Sequence, residues 1–375
     1  MRPVTVIILH PEAPAGSGPL GRALAAARRE LAEQQRRGFL AAGADEVRVV
    51  TGPPDGISFG ERLVAQLRSR PPRNLGGLIV LGSGSIPLAR PDDLSRLVAV
   101  AAGPAGHALA NNRYSADVVA VSRAADLLEL PPLPADNALP RWLAEIAGVA
   151  VADMRSRWRL GVDIDSPLDL VLIRQTDPGL GADTGSGRLG DLATVVRHRL
   201  GEVARVLRDR RGELLVAGRV SASTLRWLES GAACRVRALV EERGLRASST
   251  LAQSGRSAEA RPPRSILGRL LEREGPGSLA RAVSELGDAA VIDSRVLLAH
   301  RLGADESAWP AAEDRFASDL LLPASIADSW LRELTQSALD GNVVLGGHTL
   351  LNGGLRLLAG GTSRRMGPGR AVSRT

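Results

Sequence analysis

Lysine is absent from the 375-residue sequence, so all 48 basic residues are arginine. The chain therefore has no lysine that could form a Schiff base, anchor a phosphate or donate a proton. A single cysteine, Cys234, excludes an internal disulfide and any metal site built from several cysteines. Any phosphate group must be held by arginine, by backbone N–H groups or by a metal ion.

Long apolar runs are missing as well. The longest candidates, residues 76–81 and 148–152, have the length of a strand, whereas a membrane-spanning helix needs roughly 18 apolar residues. The sequence opens on a strand-like segment at residues 4–9, without the charged region and longer apolar core of a signal peptide. We predict a cytoplasmic protein without a membrane partner.

Aromatic residues make up only 2% of the chain, and the positive charge is unevenly placed. Four arginines of the last dozen residues supply four of the seven net positive charges: Arg364, Arg365, Arg370 and Arg374. The remainder of the chain is close to neutral, and it offers few aromatic rings on which bases could stack. Nucleic-acid binding is therefore disfavoured.

The hydrophobic pattern of the first half predicts alternating strands and helices. Residues 4–9 form an apolar run typical of a buried strand, and residues 20–42 carry apolar side chains at helical spacing. Further strands are predicted at 46–51, 77–81, 117–122 and 149–152, and further helices at 59–68, 92–102 and 138–147. This alternation predicts an α/β fold with a mostly parallel sheet and helices on both of its faces.

The second half predicts another α/β region that is largely helical. A strand at 213–217 precedes a helix at 221–230, a linker of low hydrophobicity spans 248–265, and the last third has one strand, at 342–345. Because 375 residues exceed one ordinary core, we expect two domains. The predicted division is a first domain at 1–175, a second at 190–360 and a basic tail at 361–375, with the boundary in the Gly-, Asp- and Thr-rich stretch 174–189.

Three segments carry a family resemblance. They are residues 6–22 with the loop HPEAPAGSGPLGR, residues 78–94 with LIVLGSGSIPLARPDDL, and residues 159–170 with RLGVDIDSPLDL. In this order and spacing they resemble nucleotidyltransferases of the nucleotide-diphospho-sugar transferase fold. The nearest types are molybdenum cofactor guanylyltransferase and 2-phospho-L-lactate guanylyltransferase. The resemblance covers about residues 1–175.

The resemblance implies transfer of a nucleotidyl group from an NTP, with GTP as one candidate, to a small phosphorylated or cofactor-like acceptor. Such chemistry needs Mg²⁺ on carboxylates and backbone donors around the phosphates. Asp163 and Asp165 are the implied metal ligands, and Gly16, Gly18 and Arg22 the implied phosphate-binding residues. Asp163 and Asp165, two residues apart on an extended segment, point the same way and could share one cation.

The sequence departs from the family pattern at two places. Ser85 stands where the family has a metal-binding aspartate, and a hydroxyl replaces an anionic ligand poorly. The N-terminal loop lacks the usual GG-x-SxRMG signature and its following lysine. A segment similar to that signature, LLAGGTSRRMGPGRA, instead occupies residues 357–371. It is interpreted either as a chance match in a disordered tail, which is our default, or as a displaced phosphate loop.

Several residues have a structural interpretation beside the functional one. Asp163 and Asp165 could, with Asp169, cap the turn and the helix that begins near residue 167. The glycine loop around Gly16 could be a plain flexible loop.

The polar cluster Asn111, Asn112 and Arg113 either contributes to nucleotide binding or forms an Asn-rich turn. Two strand-to-helix turns in the second half, at 214–223 with Arg219 and at 343–354 with His348, Thr349 and Asn352, could receive an anion. A purely structural role is favoured for both turns.

Three functions therefore remain open. The first is an active nucleotidyltransferase with Mg²⁺ as its cofactor. The second, favoured by Ser85, is a non-catalytic protein of the same fold that binds a nucleotide or a partner protein. The third is a glycosyltransferase that uses a nucleotide-sugar.

Overall fold

A computed structural model describes residues 2–52, 55–69, 76–133, 135–175, 186–241 and 263–360. Most of the predicted domain boundary, most of the 248–265 linker and the tail from residue 361 lie outside these ranges. The signature-like segment at 357–371 is therefore described only as far as Gly360. Within the described ranges, no helix combines the length and the apolar character needed to cross a membrane.

The first half forms a six-stranded sheet with the order β2-β1-β3-β5-β4-β6. Its strands are β1 Val4–Pro11, β2 Glu46–Gly52, β3 Gly77–Gly82, β4 His107–Ala110, β5 Val118–Val121 and β6 Ala150–Asp153. Only β5 runs antiparallel to its neighbours β3 and β4. The carboxyl ends of β1, β3 and β4 therefore share one edge of the sheet with the start of β5.

Helices cover both faces of this first sheet, as the sequence predicts. The helices of this half are α1 Pro19–Ala41, α2 Phe59–Arg68, α3 Pro91–Ala101, α4 Leu139–Glu145 and α5 Pro167–Arg174. One apolar cluster joins Ile7, Leu78 and Val80 to α2 and α4. The alternate residues of the same strands, such as Ile8 and Ile79, join α1 and α3 on the opposite face. Each strand is thus apolar on both sides, which is the pattern of a sheet buried between helices.

The second half forms a four-stranded parallel sheet with the order β10-β9-β7-β8. Its strands are β7 Glu213–Gly218, β8 Arg235–Val240, β9 Ala289–Asp293 and β10 Val343–Gly346. Its helices are α6 Ser186–Leu192, α7 Thr194–Arg208, α8 Ala222–Gly231, α9 Ile266–Glu274, α10 Leu279–Ser284, α11 Ser294–Leu302, α12 Ala312–Asp319, α13 Ser329–Asp340 and α14 Leu355–Leu358. A π-helical turn, Leu350–Gly354, precedes α14.

The two halves share one apolar core. Buried residues of α1 and α5 belong to the same cluster as the residues of β7, β9 and β10. The π-helical turn packs against the segment before α5, where a Cβ on Gly353 would lie 2.2 Å from Val162 Cγ2. Only glycine permits this approach, which brings the end of β10 to the edge of the first sheet.

The α/β fold class is confirmed, and most predicted elements occur within a residue or two of their expected positions. The prediction of one strand in the last third is wrong, because β9 precedes β10 there. β4 and β8 were also missed. β4 and β9 are short and rich in alanine, and β8 alternates exposed arginines with apolar residues, so none of the three carries a strong strand signal.

Candidate functional site

The carboxyl ends of β1 and β3 lie side by side at the point where the first sheet changes direction. From β1 the chain continues to β2 on one side, and β3 lies on the other side of β1. In open α/β sheets, ligands bind outside the carboxyl ends of the strands at such a switch point. His10 of β1 and Ser83, which follows β3, meet there through a 2.9 Å contact between Nδ1 and Oγ.

His10 is buried at this switch point, with 1% of its surface exposed. Among the described residues, its Nε2 atom has no hydrogen-bond partner. Burial, followed by the charges of Arg29 and Arg28, lowers the pKa of His10, so its ring is neutral at pH 7. A neutral ring with one unsatisfied nitrogen can accept or donate one hydrogen bond to a ligand.

The turn after β3 brings Ser85 to the predicted metal segment. Ser85 and Asp163 form an isolated antiparallel bridge, and Ile164 N donates to Gly84 O at 2.8 Å. Ser85 is buried, and its carbonyl accepts a hydrogen bond from Gln35 Nε2. Three residues that the resemblance assigns to one metal site, namely Ser85, Asp163 and Asp165, are therefore adjacent in space.

Asp163 is held from the second half of the chain. His348 Nε2 lies 3.4 Å from Asp163 Oδ2, and Thr349 Oγ1 donates to Asp163 Oδ1. The neighbouring Asp165 pairs with Arg28, whose Nη2 atom lies 3.0 Å from Asp165 Oδ1. Ligand atoms of Asp163, Asp165 and His348 all lie within 4.8 Å of one another, which is close enough for one metal ion.

Two further carboxylates border this group. Asp117 precedes β5, and Asp136 opens the short 3₁₀ turn before α4. A Cβ on Gly82 would lie 3.2 Å from Ser85 Oγ and 3.9 Å from Asp136 Oδ2, so both side chains line the turn after β3. We call Asp117, Asp136, Asp163 and Asp165, together with His348, the acidic site.

The carboxylates of the acidic site shift one another's pKa values. The charge of Asp163 raises the pKa of Asp165. Burial raises the pKa of Asp117 and that of Asp136, the latter to about 6, and neighbouring carboxylates add to both shifts. Burial opposes ionisation of Asp163 too, but the charge and hydrogen bond of His348 outweigh it and keep the pKa of Asp163 below its usual range. The acidic site thus holds four carboxyl groups close together, with His348 beside Asp163 and Arg28 beside Asp165.

His348 balances part of the negative charge of these carboxyl groups. The carboxylate of Asp163 raises the pKa of His348 to about 9, so the ring is protonated at pH 7. It is half-buried and stands two residues beyond β10. The second sheet therefore supplies the cationic partner of the first sheet's carboxylates.

The capping interpretation is confirmed for Asp169 but not for the side chains of Asp163 and Asp165. Ser166 and Asp169 form the capping box of α5: Ser166 Oγ accepts from Asp169 N, and Asp169 Oδ2 accepts from Ser166 N. Burial, followed by the charges of Asp163 and Asp165, raises the pKa of Asp169 to about 8. The cap is therefore complete without the side chains of Asp163 and Asp165.

The glycine loop before α1 lies against the second half. The carboxylate of Glu313, on α12, accepts from Leu20 N at 2.8 Å and from Gly21 N at 3.1 Å. A Cβ on Gly18 would lie 2.3 Å from that carboxylate. Gly16 adopts a positive φ in the exposed loop, and Arg22 donates to Ser17 O. A side-chain anion thus occupies the helix N-terminus to which the resemblance assigns a phosphate.

Asn111 forms hydrogen bonds that position Asp117 of the acidic site. Its Nδ2 donates to Asp117 Oδ2 and to Leu160 O, both at 2.8 Å, and its Oδ1 accepts from Asp117 N at 3.0 Å. Asn112 accepts from Tyr114 N, which makes the predicted Asn turn. Asn111 thereby fixes the position of Asp117.

Arg113 lies elsewhere. Its guanidinium lies over the Tyr114 ring, 5.4 Å from the centroid. It also borders a groove of about 730 Å³ between α3, α4, β4 and β6, whose lining contains none of the acidic-site residues. The structure therefore does not bring Arg113 together with Asp163.

Sequence reasoning missed Asp136 and the pairing of His348 with Asp163. Asp136 lies in a Pro- and Ala-rich segment without a motif, and His348 is separated from Asp163 by 185 residues of sequence. Comparison of this chain with protein-family models and with curated proteins found no match.

Proposed function

We propose that this protein binds a divalent cation at Asp163, Asp165 and His348 and acts as a nucleotidyltransferase. In this proposal a nucleoside triphosphate lies at the carboxyl edge of the first sheet, and its nucleotidyl group passes to a small phosphorylated or cofactor-like acceptor. GTP is the first nucleotide to test, because the sequence resembles guanylyltransferases most. Mg²⁺ is the proposed physiological cation.

The observation that carries the proposal is the convergence of carboxylates in the acidic site, where ligand atoms of Asp163, Asp165 and His348 lie within 4.8 Å of one another. Burial, with a smaller contribution from neighbouring carboxylates, raises the pKa values of Asp117 and Asp136, and the charge of Asp163 raises that of Asp165. Folding places these groups together at a cost in stability, since like charges at short range repel. A divalent cation would remove that repulsion, as is common where carboxylates converge at a functional site.

The donor atoms fit such a cation. Carboxylate oxygens are the ligands that Mg²⁺ and Mn²⁺ prefer, and Mn²⁺ also accepts an imidazole nitrogen. His348, whose pKa Asp163 raises to about 9, would have to release its proton when it binds the cation. When bound, the cation would neutralise charge on the triphosphate. Arg28, which donates to Ile164 O and Asp165, orients the metal-binding segment.

The switch point beside the acidic site supports nucleotide binding. His10 Nε2 lacks a partner among the described residues, and the His10–Ser83 pair lies where open α/β sheets bind ligands. A buried polar atom left without a partner is costly, and a ligand that pairs with it recovers that cost. We assign the space outside the carboxyl ends of β1 and β3, beside His10 and Ser83, to the base or ribose of the nucleotide.

A second candidate function is nucleotide binding without catalysis. Ser85 supplies a hydroxyl where the resembling enzymes have an anionic metal ligand, and Asp163 is already engaged by His348 and Thr349. Both features lower the expected affinity of the acidic site for a catalytic cation. Binding of Mn²⁺ and GTP with no pyrophosphate release in the presence of phosphorylated acceptors would favour this candidate.

Mn²⁺ titration by calorimetry tests the metal site. We expect Asp163→Asn/Asp165→Asn to lower Mn²⁺ affinity at least about tenfold, because each lost carboxylate removes a charged ligand. Asp153→Asn, at the end of β6 on the same sheet, is the matched control and should bind Mn²⁺ like the wild type. Equal Mn²⁺ affinity in the double variant and the wild type would refute the metal site.

A further inference from the structure

The second sheet has its own switch point, between β7 and β9. In the order β10-β9-β7-β8, the chain leaves β7 toward β8 on one side, whereas β9 and β10 follow on the other. All four strands are parallel, so their carboxyl ends share one edge. The crevice outside the ends of β7 and β9 is therefore the place where such a sheet binds a ligand.

A fixed arginine occupies this crevice. Arg219 follows β7, and Asp293 ends β9. Arg219 Nε donates to Asp293 Oδ2 at 2.6 Å, and Nη2 donates to Oδ1 at 3.3 Å. The Asp293 side chain is fully buried, whereas 20% of the Arg219 side chain is exposed. Among the described residues, Asp293 engages two of the five N–H donors of this guanidinium and no other hydrogen bond to its side chain is found, so the remaining donors can pair with a ligand.

The loop that carries Arg219 is held in one conformation. Asn352 Nδ2 donates to Arg219 O at 3.0 Å, and Asn352 Oδ1 accepts from Ser221 N at 2.7 Å. The same Asn352 Nδ2 donates to His348 O at 2.9 Å. One side chain thus ties the Arg219 loop to the His348 loop, so the crevice lies next to the acidic site.

The N-terminus of helix α8 lies close to this loop. The ten-residue helix α8 begins at Ala222, three residues after Arg219, and its N-terminus faces the same end of the sheet. A helix N-terminus carries a partial positive charge. In a chain without lysine, an arginine with a free N–H edge is the side chain best suited to bind a phosphate.

We infer that the crevice between β7 and β9 binds the phosphate of the acceptor through Arg219. The first sheet would then hold the nucleotide and the second sheet the acceptor, with the acidic site between them. This inference rests on the proposed function for the identity of the ligand as acceptor. The phosphate site itself depends only on the geometry of the second sheet.

Inorganic phosphate is the probe, titrated by calorimetry against the full chain after treatment with EDTA, so that no metal can hold the phosphate. We expect Arg219→Gln to weaken phosphate binding at least about tenfold, because a charge-assisted pair is lost. Arg226→Gln, an exposed arginine on α8, is the matched control and should match the wild type. Acetate is titrated in parallel and should bind at least about tenfold more weakly than phosphate, since it offers fewer oxygens.

A second variant distinguishes loss of the phosphate site from misfolding of the protein. Arg219→Gln removes the ion-pair partner of the buried Asp293, which keeps its hydrogen bond from Arg295 N, whereas Arg219→Gln/Asp293→Asn removes both charges of the pair. Loss of phosphate binding in the double variant, with Mn²⁺ affinity unchanged, supports the inference. Phosphate affinity in that variant within about twofold of the wild type, or preference of the wild type for acetate, overturns it.

The two proposals fail separately. Asp163→Asn/Asp165→Asn should lose Mn²⁺ binding and keep phosphate binding. If the wild type binds phosphate through Arg219 but does not bind Mn²⁺, the proposed function is refuted and the phosphate site stands. If Mn²⁺ binds and phosphate does not, the inference about Arg219 is refuted alone.

Discussion

Ser85 is the residue at which the chain departs most from the enzymes it resembles. Its side chain is buried beside Asp136, and its backbone is bridged to Asp163. A hydroxyl at this position adds no charge to the acidic site, whereas an aspartate would add another carboxylate. The nature of residue 85 therefore sets how strongly the acidic site attracts a cation.

We predict that Ser85→Asp lowers the melting temperature of the metal-free protein and raises its affinity for Mn²⁺. The added carboxylate would be repelled by Asp136 and Asp163, and a bound cation would remove the repulsion. Thermal unfolding with EDTA and with Mn²⁺ measures both effects. Ser85→Ala, which removes the hydroxyl without adding charge, is the control. An unchanged Mn²⁺ affinity in Ser85→Asp would show that residue 85 does not face the cation.

Asp93 stabilises the segment that leads to Asp163. Its fully buried carboxylate accepts from Arg90 N and pairs with Arg157 and with Arg159. Burial opposes ionisation, but the hydrogen bonds from Arg90 N and Arg157 and the charge of Arg159 outweigh it, so the pKa of Asp93 is lowered. A carboxyl with a lowered pKa stabilises the fold above the unfolded pKa of about 4, and that stabilisation is lost as the pH falls further.

We predict that Asp93→Asn lowers the free energy of unfolding by about 3 kcal/mol at pH 7, because it leaves two arginines without their shared partner. The difference from the wild type should shrink as the pH falls below about 4. Urea unfolding at both pH values measures it. Asp92→Asn is the matched control: Asp92 is exposed, and among the described residues its one ion pair is with Arg157, so its loss should cost about 1 kcal/mol or less. A constant difference across the pH range would contradict the role of the Asp93 charge.

The π-helical turn Leu350–Gly354 is the element that joins the acidic site to the second sheet. It follows His348 and Thr349, and Gly353 packs directly on Val162, next to Asp163. A methyl group at residue 353 would collide with Val162, so the turn would have to move away. His348 would move with it, because Asn352 holds the His348 carbonyl.

We predict that Gly353→Ala costs about 1–3 kcal/mol of stability through this collision, and that it weakens Mn²⁺ binding by displacing His348. Chemical unfolding and Mn²⁺ titration of the same variant test both effects. Gly347→Ala is the control, since a Cβ there would meet no atom within 4 Å. If the two variants behave alike, the close approach at Gly353 does not set the geometry of the site.

Sequence patterns predicted most strands and helices of the first sheet. They predicted only some of the residues that come together in the acidic site. Long apolar or amphipathic segments such as α1 and β1 can be predicted from the spacing of their apolar residues. β9, by contrast, is AAVID, and its identity as a strand comes from burial between β7 and β10 rather than from its own propensity. Asp163 and Asp165 were predicted from a local motif, but His348 reaches Asp163 only because the turn after β10 packs on the segment before α5.

At the scale of the whole molecule, the two sheets are not packed independently. Helices α1 and α5, which flank the first sheet, share one apolar cluster with the strands of the second. Glu313 of α12 accepts hydrogen bonds from the first amides of α1. The acidic site between the sheets therefore depends on both halves being folded.

We predict that the full chain unfolds in a single cooperative transition, because exposing the helices of one half would strip the core of the other. Urea unfolding followed by far-UV circular dichroism and by tryptophan fluorescence should give coincident curves. Hydrogen exchange measured by mass spectrometry should give β1 and β9 the same unfolding free energy.

Glu313→Ala provides a more specific test of this prediction. The substituted residue lies in the second half of the chain, whereas the two amides that lose their hydrogen-bond acceptor lie at the start of α1 in the first half. Losing a carboxylate from a helix N-terminus costs about 1 kcal/mol. If the halves unfold together, that loss must appear equally in the exchange of β1 and of β9. If β1 alone loses protection while β9 keeps its wild-type free energy, the halves unfold separately, and the shared core does not couple them.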